Sequence, residues 1–335
     1  MGRHADKGGI AWRGLYPLLA WVFAAAVVAF PMAPQFRGVK EPPRARPQPT
    51  QEAPLFRSDV RLVPLLATVK DVNGQLIGDL KKHEFVLTDN GAQQEIAVFE
   101  KRTEQPLSVS LLIDISLTTA IRLKEERRSV EHFLRALFSS GNEQDSAALY
   151  GFNDEVTLLQ DFSRDLGRFR QTLGKLRPSG GTSLYDALYL AADTIDKRSG
   201  RHVVVLVTDG SDTTSRMNIS KTIQRLHEAD TVVYPIVVIP VQAHAGRSIG
   251  GENALQIIAQ RTGGRVYAAA LGVELDGVFA ELLRDLRTQY MLGFYPRGAP
   301  PSKDGYHHLR LTTSRPDLLV QTRSGYYGEA GSPDP

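Results

Sequence analysis

LSVSLLIDISLTT, Leu107 to Thr119, is an apolar run that ends on an aspartate and then sets hydroxyls at Ser116 and Thr118. Aliphatic and β-branched residues in a stretch of this length suit a pleated, buried surface. SAALYGFN (146–153), HVVVLVTD (202–209) and VVYPIVVI (232–239) repeat the character. Apart from Ser108 and Ser110 in the first, the four are near-continuous apolar runs, which implies strands covered on both faces. Behind the first, Val130, Phe133, Leu134, Leu137 and Phe138 recur at helical spacing on one face. Strands of this kind separated by amphipathic helices predict a doubly wound, mostly parallel α/β sheet. EVTLLQDF (155–162) follows the second run after the short Asn153-Asp154 turn, which predicts a hairpin and an antiparallel edge; a helix over 274–289 closes the sheet region.

On either side the pattern shortens. Residues 57–104 carry alternating apolar segments punctuated by Asn73-Gly74 and Asn90-Gly91, and residues 290–328 return to short β-like runs such as YHHLRLTTS (306–314). Neither flank supplies enough strands for a two-layer core. The two are expected to form one small antiparallel β-sandwich, with the α/β region 105–289 inserted in it.

The first 57 residues hold eight Lys or Arg against three Asp or Glu, whereas the whole chain of 335 residues nets only +3. The rest is therefore slightly acidic and offers no footprint for nucleic acid. LLAWVFAAAVVAF (18–30) follows Arg3, Lys7 and Arg13 and has the length of a signal-peptide core. Residues 1–30 are read as a signal peptide or membrane anchor, 31–56 as a proline-rich linker, and 329–335 as a tail. Export follows as the expectation, with the protein periplasmic, secreted or anchored and touching the membrane only through its N-terminal segment. The absence of cysteine removes disulfides and thiolate chemistry. No P-loop or G-x-G-x-x-G pattern accompanies Gly180-Gly181 or Gly263-Gly264, which argues against a nucleotide.

In such a sheet, ligands collect beyond the carboxyl ends of the strands where strand order reverses. Asp114, Ser116 and Thr118 follow the first strand, TDGSD (208–212) follows the third, and PSGGTSLYDAL (178–188) lies between with Thr182 behind two glycines. Carboxylate and hydroxyl oxygens suit a hard cation. Each of these residues taken singly reads first as a helix cap, but the combination across three strand ends is harder to explain by capping alone. Asp186 reads as support for the loop or for its helix's first turn, and Asp212 as either a supporting group or a turn residue. AHAGRSIGGEN (243–253) reads as a loop, the His307-His308 pair as surface or sheet packing rather than a shared metal site, and Tyr326-Tyr327 as packing.

The ordered set D-x-S-x-T, G-G-T-S-L-Y-D-A-L and T-D-G resembles a von Willebrand factor type A domain with its metal-ion-dependent adhesion site. The flanks VKDVNGQLIGDL, YMLGFYP and RSGYY are similar to a bacterial secreted family in which this domain is framed by β segments. The resemblance implies that Ser116, Thr118 and Thr182 ligate a divalent ion, with Mg2+ first and Mn2+ or Ca2+ as alternatives, while Asp114 and Asp209 act largely through its waters. It implies binding of a partner protein through an Asp or Glu side chain, without catalysis. Leu117 and Thr118 depart from the usual small residue and serine, and their bulk is expected to crowd the loop. Three alternatives follow: a scaffold with no ion, a subunit of a cytoplasmic chelatase or ATPase complex, and a Mg2+-dependent phosphatase-like hydrolase. The last lacks an acid two residues after Asp114, where Ser116 stands.

Overall fold

The computed structural model describes residues 62–101, 104–139, 141–239, 249–299 and 305–328. The leader, the linker and the tail lie outside the described residues. In chain order the first strands are β1 (Val63–Lys70), β2 (Phe85–Asp89), β3 (Ala92–Gln94) and β4 (Ile96–Glu100). The α/β region runs β5 (Leu107–Asp114), α1 (Leu123–Ser139), β6 (Ser146–Phe152), β7 (Val156–Ser163), α2 (Leu166–Lys175), α3 (Leu184–Ile195) and β8 (Arg201–Thr208). It continues through α4 (Ile219–Glu228), β9 (Thr231–Val238), α5 (Ile249–Thr262), β10 (Tyr267–Ala269) and α6 (Val273–Thr288). The chain then returns to β11 (Tyr290–Phe294), β12 (Tyr306–Thr313), β13 (Leu319–Gln321) and β14 (Gly325–Tyr327).

Six strands make the central sheet in the order β10-β9-β8-β5-β6-β7, all parallel except the β6–β7 hairpin. All eight residues of β5 are buried because helices cover both faces. On one face Val130, Phe133 and Leu137 of α1 pack with Phe169 of α2 and Phe279 and Leu282 of α6. On the other, Leu184 and Leu188 of α3, Leu226 of α4 and Leu255 of α5 pack on Leu112, Val204 and Leu206. From β5 the chain crosses first to β6 and later to β8, on opposite sides. The strand order therefore reverses between β5 and β8, and the crevice at their carboxyl ends is the switch point.

The flanks form two antiparallel four-stranded sheets, β13-β1-β11-β4 and β14-β12-β2-β3. Each mixes strands from before and after the α/β region: Val63 faces Phe294 across β1–β11, and Leu87 faces Leu311 across β2–β12. Leu65, Tyr290 and Phe294 from one sheet and Phe85, Leu87 and Leu309 from the other share one core. The Tyr290 hydroxyl donates to Ile77 O at 2.9 Å and accepts from Leu80 N at 3.0 Å, pinning the β1–β2 connection.

Several details depart from the sequence reading. Helix α2 was not anticipated, since only Phe169 and Leu173 on it are buried, and three-residue β10 is too short to leave a pattern. Ile249 to Asn253, read as loop, opens α5, where Gly250 and Gly251 sit in the first turn. His307 agrees with the packing reading: its Nδ1 lies 2.9 Å from Asp89 Oδ1 and its ring stacks on Tyr326. Among the described residues no helix is long and apolar enough to cross a membrane.

Candidate functional site

Three loops meet at the switch point, and hydrogen bonds close the triangle between them. Leu117 N donates to Gly180 O at 3.2 Å, joining the loop after β5 to the loop before α3. Thr213 N donates to Thr182 O at 2.8 Å, joining that second loop to the one after β8. The Thr118 hydroxyl donates to Asp209 Oδ2 at 2.7 Å, joining the third loop back to the first.

Each loop is held by its own chemistry. Asp114 is fully buried; its Oδ1 accepts from Ser116 N and its Oδ2 from the Thr208 hydroxyl, both at 2.9 Å. Its first task is thus to tie β5 to β8. Ser116 Oγ lies 2.9 Å from Thr118 Oγ1, so the two hydroxyls and Asp209 Oδ2 form a continuous row of oxygens. In the second loop Gly180 has φ of +68°, and a Cβ there would stand 2.0 Å from Asp154 Oδ2. Only glycine fits. Asp154 Oδ1 accepts from Gly181 N at 2.7 Å, and Thr182 N donates to Thr213 Oγ1 at 2.9 Å. Thr182 is buried at 2 % exposure.

Of the two supporting carboxylates, Asp212 Oδ1 accepts from Leu184 N at 2.8 Å and from the Ser215 hydroxyl at 2.6 Å. It caps α3 from the neighbouring loop. Asp186 receives the N–H groups of Arg216 and Met217 and so braces the same loop. Leu117, expected to crowd the site, instead lies in a single 3-10 turn from Leu117 to Thr119 and is 64 % exposed. Ile121, one turn on, is 96 % exposed.

The sequence reading missed two charged residues beneath the loops. Arg122, 7 % exposed, places Nη2 3.2 Å from Asp209 Oδ2 and donates from Nη1 to Val238 O at 2.9 Å. Glu126, 2 % exposed, lies 3.8 Å from Arg122 Nε. Their i,i+4 spacing looks like a solvated helix pair, so periodicity gave no signal. Burial pushes the Asp114 carboxyl up to about 6, against hydrogen bonds from Ser116 and Thr208. Burial likewise raises Glu126 to about 8; Arg122 opposes this, and the charges of Asp114 and Asp209 add to it. For Asp209, burial raises the carboxyl but is outweighed by bonds from Thr118 and Ser211 and by Arg122, leaving it below the usual range.

The donor set can be tested against a divalent ion. Asp114, Ser116, Thr118, Thr182 and Asp209 offer oxygen alone, the chemistry of Mg2+ and Ca2+ rather than of a softer metal. Among the described residues no group of three or more His, Cys, Asp or Glu side chains is placed to hold a metal. The cluster has two carboxylates and three hydroxyls, so an ion here would keep several waters. Asp209 and Glu126 both lie against the Arg122 guanidinium, the charge of buried Asp114 acts on Glu126 as well, and Glu126 Oε2 has no hydrogen-bond partner. That surplus of negative charge suits a cation, so the residues fit the group.

Residues 109–211 match the family described as the von Willebrand factor type A domain. No curated protein matches the chain. Among solved structures, the chain is similar to the PilB minor pilin from Streptococcus sanguinis, at 16 % identity over 55 % of this chain and 62 % of that one, with a TM-score of 0.43. The chain thus spans less than two thirds of that pilin. It is also similar to the vWF domain of the type V pili tip protein Mfa5 from Porphyromonas gingivalis, at 14 % identity over 55 % and 97 % with a TM-score of 0.46. An aerotolerance-related membrane protein from Bacteroides fragilis gives 16 % over 54 % and 98 %, with a TM-score of 0.42.

Proposed function

We propose that the von Willebrand factor type A domain of this chain is a non-catalytic binding module that engages an acidic side chain of a partner protein at the switch-point site. The observation that carries this reading is the closed triangle of loops, which lines up Ser116 Oγ, Thr118 Oγ1 and Asp209 Oδ2 beside Thr182. Ser116, Thr118 and Thr182 would hold a divalent ion, Mg2+ first and Mn2+ or Ca2+ as alternatives, with Asp114 and Asp209 orienting its waters. Bound there, the ion would supply an electrophilic point for a carboxylate. The chain's own part is to prearrange the oxygens. Exposed Leu117 and Ile121 offer apolar contact area beside the polar oxygens.

The apolar run 18–30, preceded by basic residues, supports an exported location, with the module released or held at the membrane by that segment. Within the site Ser116 takes the place where a phosphatase-like mechanism needs an acid, and this favours binding over turnover.

The test is thermal unfolding under titration with MgCl2 and MnCl2, comparing the parent with Asp209→Ala. The parent should gain about 2.7 kcal/mol at an ion concentration one hundred times Kd, and the variant should gain little. A parent that gains nothing at saturating ion removes the metal from the proposal. Partner capture from envelope extracts that persists in chelator and in Asp209→Ala would remove the site.

A further inference from the structure

Arg122 sits in an unusual place for a residue of a cation site. Its Nη2 contacts Asp209 Oδ2, the same oxygen that accepts the Thr118 hydroxyl. The guanidinium is 7 % exposed, too deep to reach a partner protein, so its effect is on the site itself. Its other side faces Glu126, with Nε 3.8 Å from Oε1, beyond hydrogen-bond distance. Both Arg122 Nε and Glu126 Oε2 are buried and lack hydrogen-bond partners. The contact with Asp209 is made and the contact with Glu126 is open.

Resting on the metal reading above, we propose that Arg122 is the resident counter-cation of the site: it occupies Asp209 until a divalent ion loads, and it sets the concentration at which loading occurs. Ion and guanidinium cannot share Asp209 without repulsion. Glu126 provides the alternative seat, since a shift of under about 1 Å toward it would bring Nε into hydrogen-bond range. Loading would then exchange an Arg122–Asp209 pair for an Arg122–Glu126 pair, and the unsatisfied Arg122 Nε would gain a partner in the loaded state. The shared oxygen makes the competition direct rather than a diffuse field effect.

The experiment is a calorimetric titration of the full chain with MgCl2 and MnCl2, for the parent, Arg122→Gln and Arg122→Lys. Arg122→Gln should load at least about tenfold more tightly, because a charge at this range shifts a neighbouring ionisation by one to three orders of magnitude. Arg122→Lys keeps the charge and should stay within about threefold of the parent, less than one pK unit of electrostatic change. Unfolding in chelator checks that each variant is folded. Should Arg122→Gln fail to fold, the Arg122 Nε–H resonance of the parent, identified by its loss in Arg122→Lys, serves instead. It should move in step with ion loading, and a resonance that stays fixed at saturation overturns the exchange. Equal or weaker loading of folded Arg122→Gln beside a parent that binds overturns the role of Arg122 and leaves the metal reading standing. Binding by neither protein defeats both. Binding by Arg122→Gln alone upholds the inference and makes Arg122 the native cation of the site.

Discussion

Replacing Glu126 by glutamine should change how stability depends on pH, and the structure fixes both sign and size. Burial raises the Glu126 carboxyl from 4.5 to about 8. A raised carboxyl is protonated in the folded chain at pH values where the unfolded chain has already ionised. Its contribution is therefore fully present below pH 4.5 and is lost as pH rises toward 8. At about 1.4 kcal/mol per pH unit, the loss between pH 5 and pH 8 comes to about 3 to 4 kcal/mol. Glu126→Gln removes the ionisation and keeps the shape. Urea unfolding of parent and variant at pH 5, 6.5 and 8, with chelator throughout, should show a stability difference that moves in the variant's favour by that amount. Asp114, raised by burial to about 6, titrates in both proteins and largely cancels from the difference. A difference that stays constant across the range would refute the claim that Glu126 is buried at the cost described.

Thr118→Val removes one of the bonds that hold the Asp209 carboxyl low against burial, so carboxyl NMR should show Asp209 titrating at higher pH, and Thr118→Ser should restore it. Thr118 is itself exposed, so the stability cost should not exceed about 1 kcal/mol. Tyr290→Phe should cost about 1 to 3 kcal/mol by leaving Leu80 N and Ile77 O without their hydroxyl partner inside the sandwich, read as a lowered urea midpoint.

The sheet was legible because burial on both faces writes itself as unbroken apolar runs, and β5, β8 and β9 have few positions that touch water. The insertion was legible by counting strands that could not close a core alone. The loops were legible because strand ends are where polar residues are otherwise out of place. What escaped has physical reasons. Gly250-Gly251 looks like a linker, yet both are carried in the first turn of α5. Leu117 looked obstructive because sequence shows its size and not its direction; the 3-10 turn aims it at solvent. Arg122 and Glu126 were invisible as site residues because a salt-bridge spacing on a helix is ordinarily a surface feature, and here that helix begins directly beneath the loops.

The same burial links stability and binding at this site. Asp114 and Glu126 are forced toward their neutral forms because the crevice removes water from them without supplying matching positive charge. Arg122 offsets part of that cost and is divided between Asp209 and Glu126. A binding site that satisfied its own charges completely would gain nothing from a ligand. The switch point keeps Asp209 and Glu126 on one arginine and buries Asp114 near them, on loops fixed by Gly180 and by the Leu117–Gly180 and Thr213–Thr182 bonds. The rigid loops prevent the site from relaxing around its own deficit. In the binding reading proposed above, a cation brought from outside would relieve that deficit.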